Sequence, residues 1–181
     1  NCIIRTPRPL GRGGCHINYR RKKMANSLIG IHAVLGEIGI AAFIWVFVEM
    51  LKPTPKRLKR AKIAAFIGVI FFFTSWIVGG YYYINYYSTV KAVINEGPEP
   101  WAHKIAMETK EHIFLFLPFI SLLTYTLIIR FETKLKGDKN PKAKKAVLLL
   151  SVVVIILGAL MALMGYLVSS GFRSALERFA G

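Results

Sequence analysis

The stretch AVLLLSVVVIILGALMALMGYLVSSGF, residues 146–172, decides the fold of this chain. It contains no charged residue, and as a helix rising 1.5 Å per residue it is long enough to cross a bilayer core of about 30 Å. Three further apolar runs reach such a length, at 28–51, 63–87 and 112–129. None of these runs alternates between apolar and polar residues as a barrel strand does. Because lipid offers no hydrogen-bond partner to the backbone, helices, which satisfy their own backbone groups, are predicted. We expect an all-α integral membrane four-helix bundle as a single domain, residues 24–181.

The charges between the apolar runs predict the orientation of the bundle. Hydrophobic residues make up 54% of the chain, and the formal net charge is +16. In a soluble protein that charge would indicate nucleic-acid binding. Here the basic residues cluster between the apolar runs, in loops 52–62 and 130–145, so membrane topology explains them first. The positive-inside rule places both loops in the cytoplasm and both termini outside. We therefore expect a multi-pass protein of the inner or plasma membrane with no nucleic-acid partner.

Residues 1–23 differ from the rest of the chain. They contain seven Lys or Arg and no acid, and Met24 follows directly. We predict that this segment is a non-native or disordered basic leader; the alternative is a basic arm that touches anionic lipid. Both cysteines, Cys2 and Cys15, lie within it, so residues 24–181 offer no thiol for a disulfide or a metal site.

Two histidines lie inside the predicted spans at a similar height. Counted at 1.5 Å per residue from Lys52 and Arg130, His32 lies ~30 Å and His112 ~27 Å from the basic loops. Four glycines lie in or near this layer and leave room either for a flat cofactor or for close helix packing. They are Gly36, Gly79, Gly80 and Gly165. His32, Gly36, Gly39 and Phe43 share one stripe at helical spacing, and its glycines are open to the same two interpretations, a flat cofactor or close helix packing.

The histidine pair suggests a haem. Two histidines from spans one and three at one height can supply both axial ligands of haem b inside a bundle. The chain resembles small four-helix b-type membrane cytochromes, and this resemblance rests on His32, His112 and the topology. The resemblance implies electron transfer, with a quinone or a redox protein as partner. It requires His32 and His112 to face each other across the bundle.

A metal site is the second hypothesis. Glu108, Glu111 and His112 form E-x-x-E-H at the start of span three. With His32, or with His103 from above, they would offer carboxylate and imidazole ligands to a Zn, Fe or Cu ion. The ordinary alternative is a solvated helix start, where acids suit the helix dipole and pair with nearby lysines.

The third hypothesis is an accessory or structural subunit of a larger membrane complex. Motifs of phosphate binding, nucleophilic catalysis and zinc peptidases are absent from the sequence.

Glu37 in span one is expected to be protonated and hydrogen-bonded to Ser75, which lies at its height, or to act in a proton relay. The tyrosines near the end of span two are expected to form an interfacial belt. They are Tyr81, Tyr82, Tyr83, Tyr86 and Tyr87.

Overall fold

The computed structural model describes residues 12–136 and 139–180, and within them it is helical apart from short connections. The helices are α1 Arg12–Met50, α2 Pro55–Glu96, a π-helix Ala102–Met107, α3 Glu108–Phe114, α4 Phe116–Arg130, α5 Glu132–Leu135 and α6 Pro141–Ala180. Four helical segments of this described part are long and apolar enough to cross a membrane: Lys23–Met50, Pro55–Glu96, Ala102–Arg130 and Pro141–Phe179. The prediction of an all-α chain is thereby confirmed for these residues, as is the prediction of four helices long and apolar enough to cross a membrane.

The predicted leader, residues 1–23, is described only in part. Residues 1–11, including Cys2, lie outside them, and from Arg12 onward the backbone belongs to α1. The side chain of Cys15 also lies outside the description. The N-terminal boundary at Met24 therefore stays a prediction.

Proline and threonine fix the start of α2. The sequence KPTP, residues 52–55, stops α1, because Pro53 disfavours helical backbone in the residue before it. Thr54 caps α2, with its Oγ1 accepting from the backbone N–H of Arg57 at 3.3 Å. Pro55 stands at the first helical position, where its missing N–H costs no helical hydrogen bond. The two helices consequently form a tight antiparallel hairpin.

The third span begins earlier than its apolar run indicates. The prediction placed it at 112–129, whereas the continuous helical segment starts at Ala102 with a full π-helix. A break separates α3 from α4 at Leu115. Pro118 explains it, because proline has no N–H for the carbonyl of Phe114 and its ring crowds that carbonyl.

The bundle has two distinct ends. The basic-loop end carries the basic segments that the sequence predicts as loops, 52–62 and 130–145, although their described residues are largely helical in α2, α5 and α6. The tyrosine end, opposite to it, carries Tyr81–Tyr87. Helix α1 packs against α2 and α6, and α4 packs against the same two helices, so α1 and α4 lie diagonally across the bundle. Two apolar clusters fill the space between the helices, one near the basic loops around Met50, Leu58 and Ile128, and one towards the middle around Phe43, Phe72 and Val154.

Ion pairs tie the basic-loop end together. The carboxylate of Glu49 accepts from Arg57 Nε at 2.8 Å and from Arg60 Nε at 2.6 Å, and it also accepts from Trp45 Nε1 at 3.0 Å. Glu132 accepts from Lys62 at 2.7 Å, which joins α5 to α2. Glu49 is therefore a structural residue of the α1–α2 hairpin.

Candidate functional site

His32 is held by the second helix. Its Nδ1 lies 2.9 Å from the backbone oxygen of Ser75 and 3.0 Å from Ser75 Oγ. Ser75 Oγ in turn donates to the backbone oxygen of His32 at 2.9 Å. Because a carbonyl oxygen only accepts, Nδ1 carries the proton, and Nε2 keeps its lone pair. The half-buried imidazole is therefore fixed in one orientation and one tautomer.

Side chains of this chain lie beside three of the four glycines in the layer of the two histidines. A Cβ at Gly79 would lie 2.6 Å from His32 Nδ1, so the imidazole occupies the space that this glycine leaves. A Cβ at Gly165 would lie 3.1 Å from Lys110 Nζ, while Gly36 faces Ser75 Oγ at 3.6 Å. A Cβ at Gly80 would meet nothing within 4 Å. Close packing, the ordinary reason for membrane glycines, accounts for Gly79 and Gly165.

His112 lies on an exposed face of its helix. Its Nδ1 donates to the backbone oxygen of Glu108, one turn earlier, at 2.7 Å. Leu115, Phe116 and Phe119, at spacings of three, four and seven from His112, are all exposed. These residues share the face of the helix that points away from the bundle.

The structure does not bring the two histidines together. In α3, the ring of Phe114 contacts the imidazole of His32 edge-on, with the two ring centroids 6.4 Å apart. Phe114 lies two residues, or about 200°, around the helix from His112. The face-to-face pair expected from the sequence has no counterpart in these contacts, because equal height along the bundle does not fix the direction in which a side chain points.

Lys110 is a polar residue that extends into the bundle. Its Nζ reaches the small residue Gly165 on α6. Lys110 lies at helical spacing from Ile113 and Leu117, which belong to the inward face in the structure. Those two residues pack in the central apolar cluster.

The E-x-x-E-H sequence does not form a metal-ligand set. Among the described residues, no group of three or more His, Cys, Asp or Glu could hold a metal ion. His103 is engaged elsewhere, with its Nδ1 3.0 Å from the hydroxyl of Tyr87, and His112 lies on the exposed face. The hypothesis that joined Glu108, Glu111 and His112 to His32 or His103 therefore has no support in the geometry.

Glu37 does not bond Ser75, contrary to the expectation from their heights. Ser75 directs its hydroxyl to His32 instead. The side chain of Glu37 is exposed on the outer surface of α1, and the part of the chain described here gives it no hydrogen bond or ion pair. Glu37 lies five residues after His32, which is about 140° around the helix. The two side chains therefore face different surfaces of α1.

The tyrosine end contains a second set of polar residues. The rings of Tyr83 and Tyr87 stack with centroids 5.1 Å apart, and the Tyr87 hydroxyl bonds the buried His103. His103 stands in the π-helix, an element that often accompanies functional sites.

Comparison of the chain with protein-family models, with curated proteins and with solved structures gives no match. The geometry of these residues is therefore the whole basis for a functional proposal.

Proposed function

We propose that this chain is a non-catalytic subunit of a larger membrane assembly, which it joins through the exposed face of α1. The observation that carries the proposal is the position of Glu37. It lies near the middle of the candidate span Lys23–Met50, on an exposed face, with no partner among the described residues. A membrane protein that stood alone would present this carboxyl group to lipid.

Such a position is unfavourable in hydrocarbon. Ionisable residues in membrane spans almost always face a bundle interior or a water-filled cavity, and an acid at a helix centre costs about 2.5–3.5 kcal/mol on insertion scales. Even protonated, the carboxyl group needs a hydrogen-bond partner. A further membrane helix packed against α1 supplies one.

The rest of the exposed α1 face suits close helix contact. Gly30, Ala33 and Ala41 lie on the same side as Glu37 at helical spacings, and all three are exposed. A Cβ at Gly30 would meet nothing within 4 Å. Small residues let helix backbones approach closely in membranes, and a polar group among them adds an interhelical hydrogen bond.

Photo-crosslinking tests the proposal in the native membrane. A benzoylphenylalanine at Val34, on the Glu37 face, is expected to capture a partner, whereas one at Leu163 on α6 is not. Both positions are exposed, and both lie ~27 Å from the basic loops, so they are matched in depth. Mass spectrometry then identifies the captured chain as a second copy or another protein. Equal adducts at both positions, or none from Val34, would contradict the proposal.

Haem b is the second candidate function, but not with both histidines of one chain as its ligands, because His112 lies on the face that points away from the bundle. Each histidine separately has Nδ1 bonded to a backbone carbonyl oxygen, an arrangement that leaves Nε2 for a metal. The haem proposal predicts a reduced α-band after dithionite that disappears in His32→Ala or in His112→Ala. A spectrum without that band excludes haem and leaves the assembly proposal untouched.

A further inference from the structure

Helices α2 and α6 begin with the same arrangement of residues at the basic-loop end. The two segments are TPKRLKRAKI, residues 54–63, and NPKAKKAVLL, residues 140–149. In each helix a proline stands at the first position and lysines stand at the second and fifth. The lysines of these two pairs are all exposed: Lys56 and Lys59 in α2, and Lys142 and Lys145 in α6. Residues three apart on a helix are neighbours, so each helix presents a pair of ammonium groups on one face.

The carboxylates of this end are occupied by other cations. Among the described residues, Glu49 accepts from two arginines and Glu132 from two lysines, and the two lysine pairs take part in none of these ion pairs. Both helix starts are also capped by their own side chains, Thr54 in α2 and Asn140 in α6. The charge of the lysine pairs is therefore available to an external anion.

On both helices the lysine pair continues into an apolar stripe. Seven residues after the first lysine stand Ile63 in α2 and Leu149 in α6, and fourteen residues after it stand Ile70 and Ile156. These spacings keep each stripe within about 60° of its lysines around the helix. All four apolar side chains are about half exposed, between 48% for Ile70 and 61% for Leu149. From the second lysine to the end of the stripe is ~16 Å, which matches one half of a bilayer core of about 30 Å.

We propose that each of these two surfaces binds one anionic phospholipid, with its phosphate at the lysine pair and an acyl chain along the apolar stripe. An ammonium group donates charge-assisted hydrogen bonds to phosphate oxygens. Two unpaired positive charges favour an anionic headgroup over a zwitterionic one, and basic residues at a membrane edge attract anionic lipid. The apolar stripe below the lysines favours a lipid over a soluble phosphate, because only a lipid covers both parts of the surface.

The two lipids belong to different corners of the bundle. Helices α2 and α6 each pack against both α1 and α4, which places α2 and α6 diagonally across the bundle. Both begin at the basic-loop end, so both surfaces face the same leaflet, which the positive-inside rule predicts to be the cytoplasmic one. The inference does not depend on the partner proposed for α1, since Glu37 belongs to another surface.

Native mass spectrometry of the detergent-solubilised protein tests the headgroup. The protein is incubated with equal amounts of phosphatidylglycerol and phosphatidylcholine that carry identical acyl chains. A preference of about twenty-five-fold for phosphatidylglycerol is expected at each surface, because each lysine near an anionic lipid contributes a factor of about five. Equal retention of the two lipids would overturn the proposal.

Charge-matched variants test the position. Lys56→Gln together with Lys59→Gln should remove one retained phosphatidylglycerol, and the same change of both α6 lysines should remove another. Lys91→Gln together with Lys104→Gln is the control, because it removes two exposed lysines at the tyrosine end. A loss in the control equal to that in the α2 variant would show that net charge alone attracts the lipid, and would overturn the proposal.

Thermal unfolding in detergent tests whether the ligand is a lipid. Phosphatidylglycerol should stabilise the wild-type protein more than phosphatidylcholine does, and the difference should shrink at about 1 M salt, where the Debye length is about 3 Å. Glycerol 3-phosphate, which lacks acyl chains, should not stabilise the protein. Stabilisation by glycerol 3-phosphate equal to that by phosphatidylglycerol would assign the lysines to a soluble phosphate and contradict the lipid proposal. These wild-type comparisons decide even if a glutamine variant does not fold.

Discussion

Ser75 and His32 bond each other twice, once through the Ser75 hydroxyl to the His32 backbone oxygen and once through the imidazole to Ser75. We expect Ser75→Ala to lower the free energy of unfolding by about 1 kcal/mol, in the range of interhelical hydrogen bonds in membranes. Thr74→Ala is the matched control, because the Thr74 hydroxyl bonds only its own helix at Ile70. Unfolding in detergent, followed by circular dichroism, measures both. Equal effects would mean that the α1–α2 hydrogen bonds contribute nothing specific.

Two adjacent glycines provide a sharper test of the same contact. A Cβ at Gly79 would lie 2.6 Å from His32 Nδ1, whereas one at Gly80 would meet nothing within 4 Å. Gly79→Ala should therefore destabilise the bundle by about 1–3 kcal/mol through overpacking. Gly80→Ala should be neutral or slightly stabilising, since alanine favours helix. A loss of stability in Gly80→Ala equal to that in Gly79→Ala would show that the His32 contact is not the cause.

The sequence predicted the helices and one buried face better than it predicted the site. Hydropathy sets the spans because lipid allows few backbone structures. The stripe of His32, Gly36, Gly39 and Phe43 did mark the inward side of α1: Gly39 and Phe43 are buried, and His32 bonds Ser75. Here glycines interrupt a row of bulky residues, so one face is recognisable from its spacing.

The third span offered no such signal. Leucine, isoleucine and phenylalanine occur all round it, so the pattern cannot tell which face meets lipid. His112 therefore had a predictable height and an unpredictable direction. The inward direction of Lys110 was unpredictable for the same reason.

Glu49 should matter for stability in a way that Glu37 does not. Both acids lie in α1, but Glu49 accepts from Arg57 and Arg60, while Glu37 has no partner in the described residues. Glu49→Gln is expected to lower the midpoint of thermal unfolding, because two guanidinium groups lose their shared carboxylate. Glu37→Gln should leave the midpoint of the isolated protein unchanged. A double-mutant cycle with Arg60→Gln isolates the pair, and a coupling of zero would contradict its role.

The pH dependence of stability should report on Glu132. Hydrogen bonds from Lys62 and Lys136 lower its pKa below the ordinary value. A carboxyl group with a lowered pKa stabilises the folded state fully above its unfolded pKa of about 4.3, and this contribution is lost as the pH falls towards the folded pKa. The unfolding midpoint should thus fall less steeply below about pH 5 in Glu132→Gln than in the wild type. Glu96→Gln, which changes an exposed acid at the other end, should keep the wild-type slope.

Glu37→Leu should separate folding from assembly. Leucine is more compatible with lipid than a carboxyl group, and the described chain gives Glu37 no bond to lose, so the isolated bundle should be as stable as the wild type or more so. The assembly should weaken, because the partner's hydrogen-bonding group would then face an apolar side chain. Blue-native electrophoresis of mildly solubilised membranes measures assembly, and thermal unfolding of the purified protein measures folding. Ile38→Leu is the matched control for a change on the neighbouring exposed surface. An unchanged assembly size in Glu37→Leu would assign the carboxyl group to something other than a partner helix.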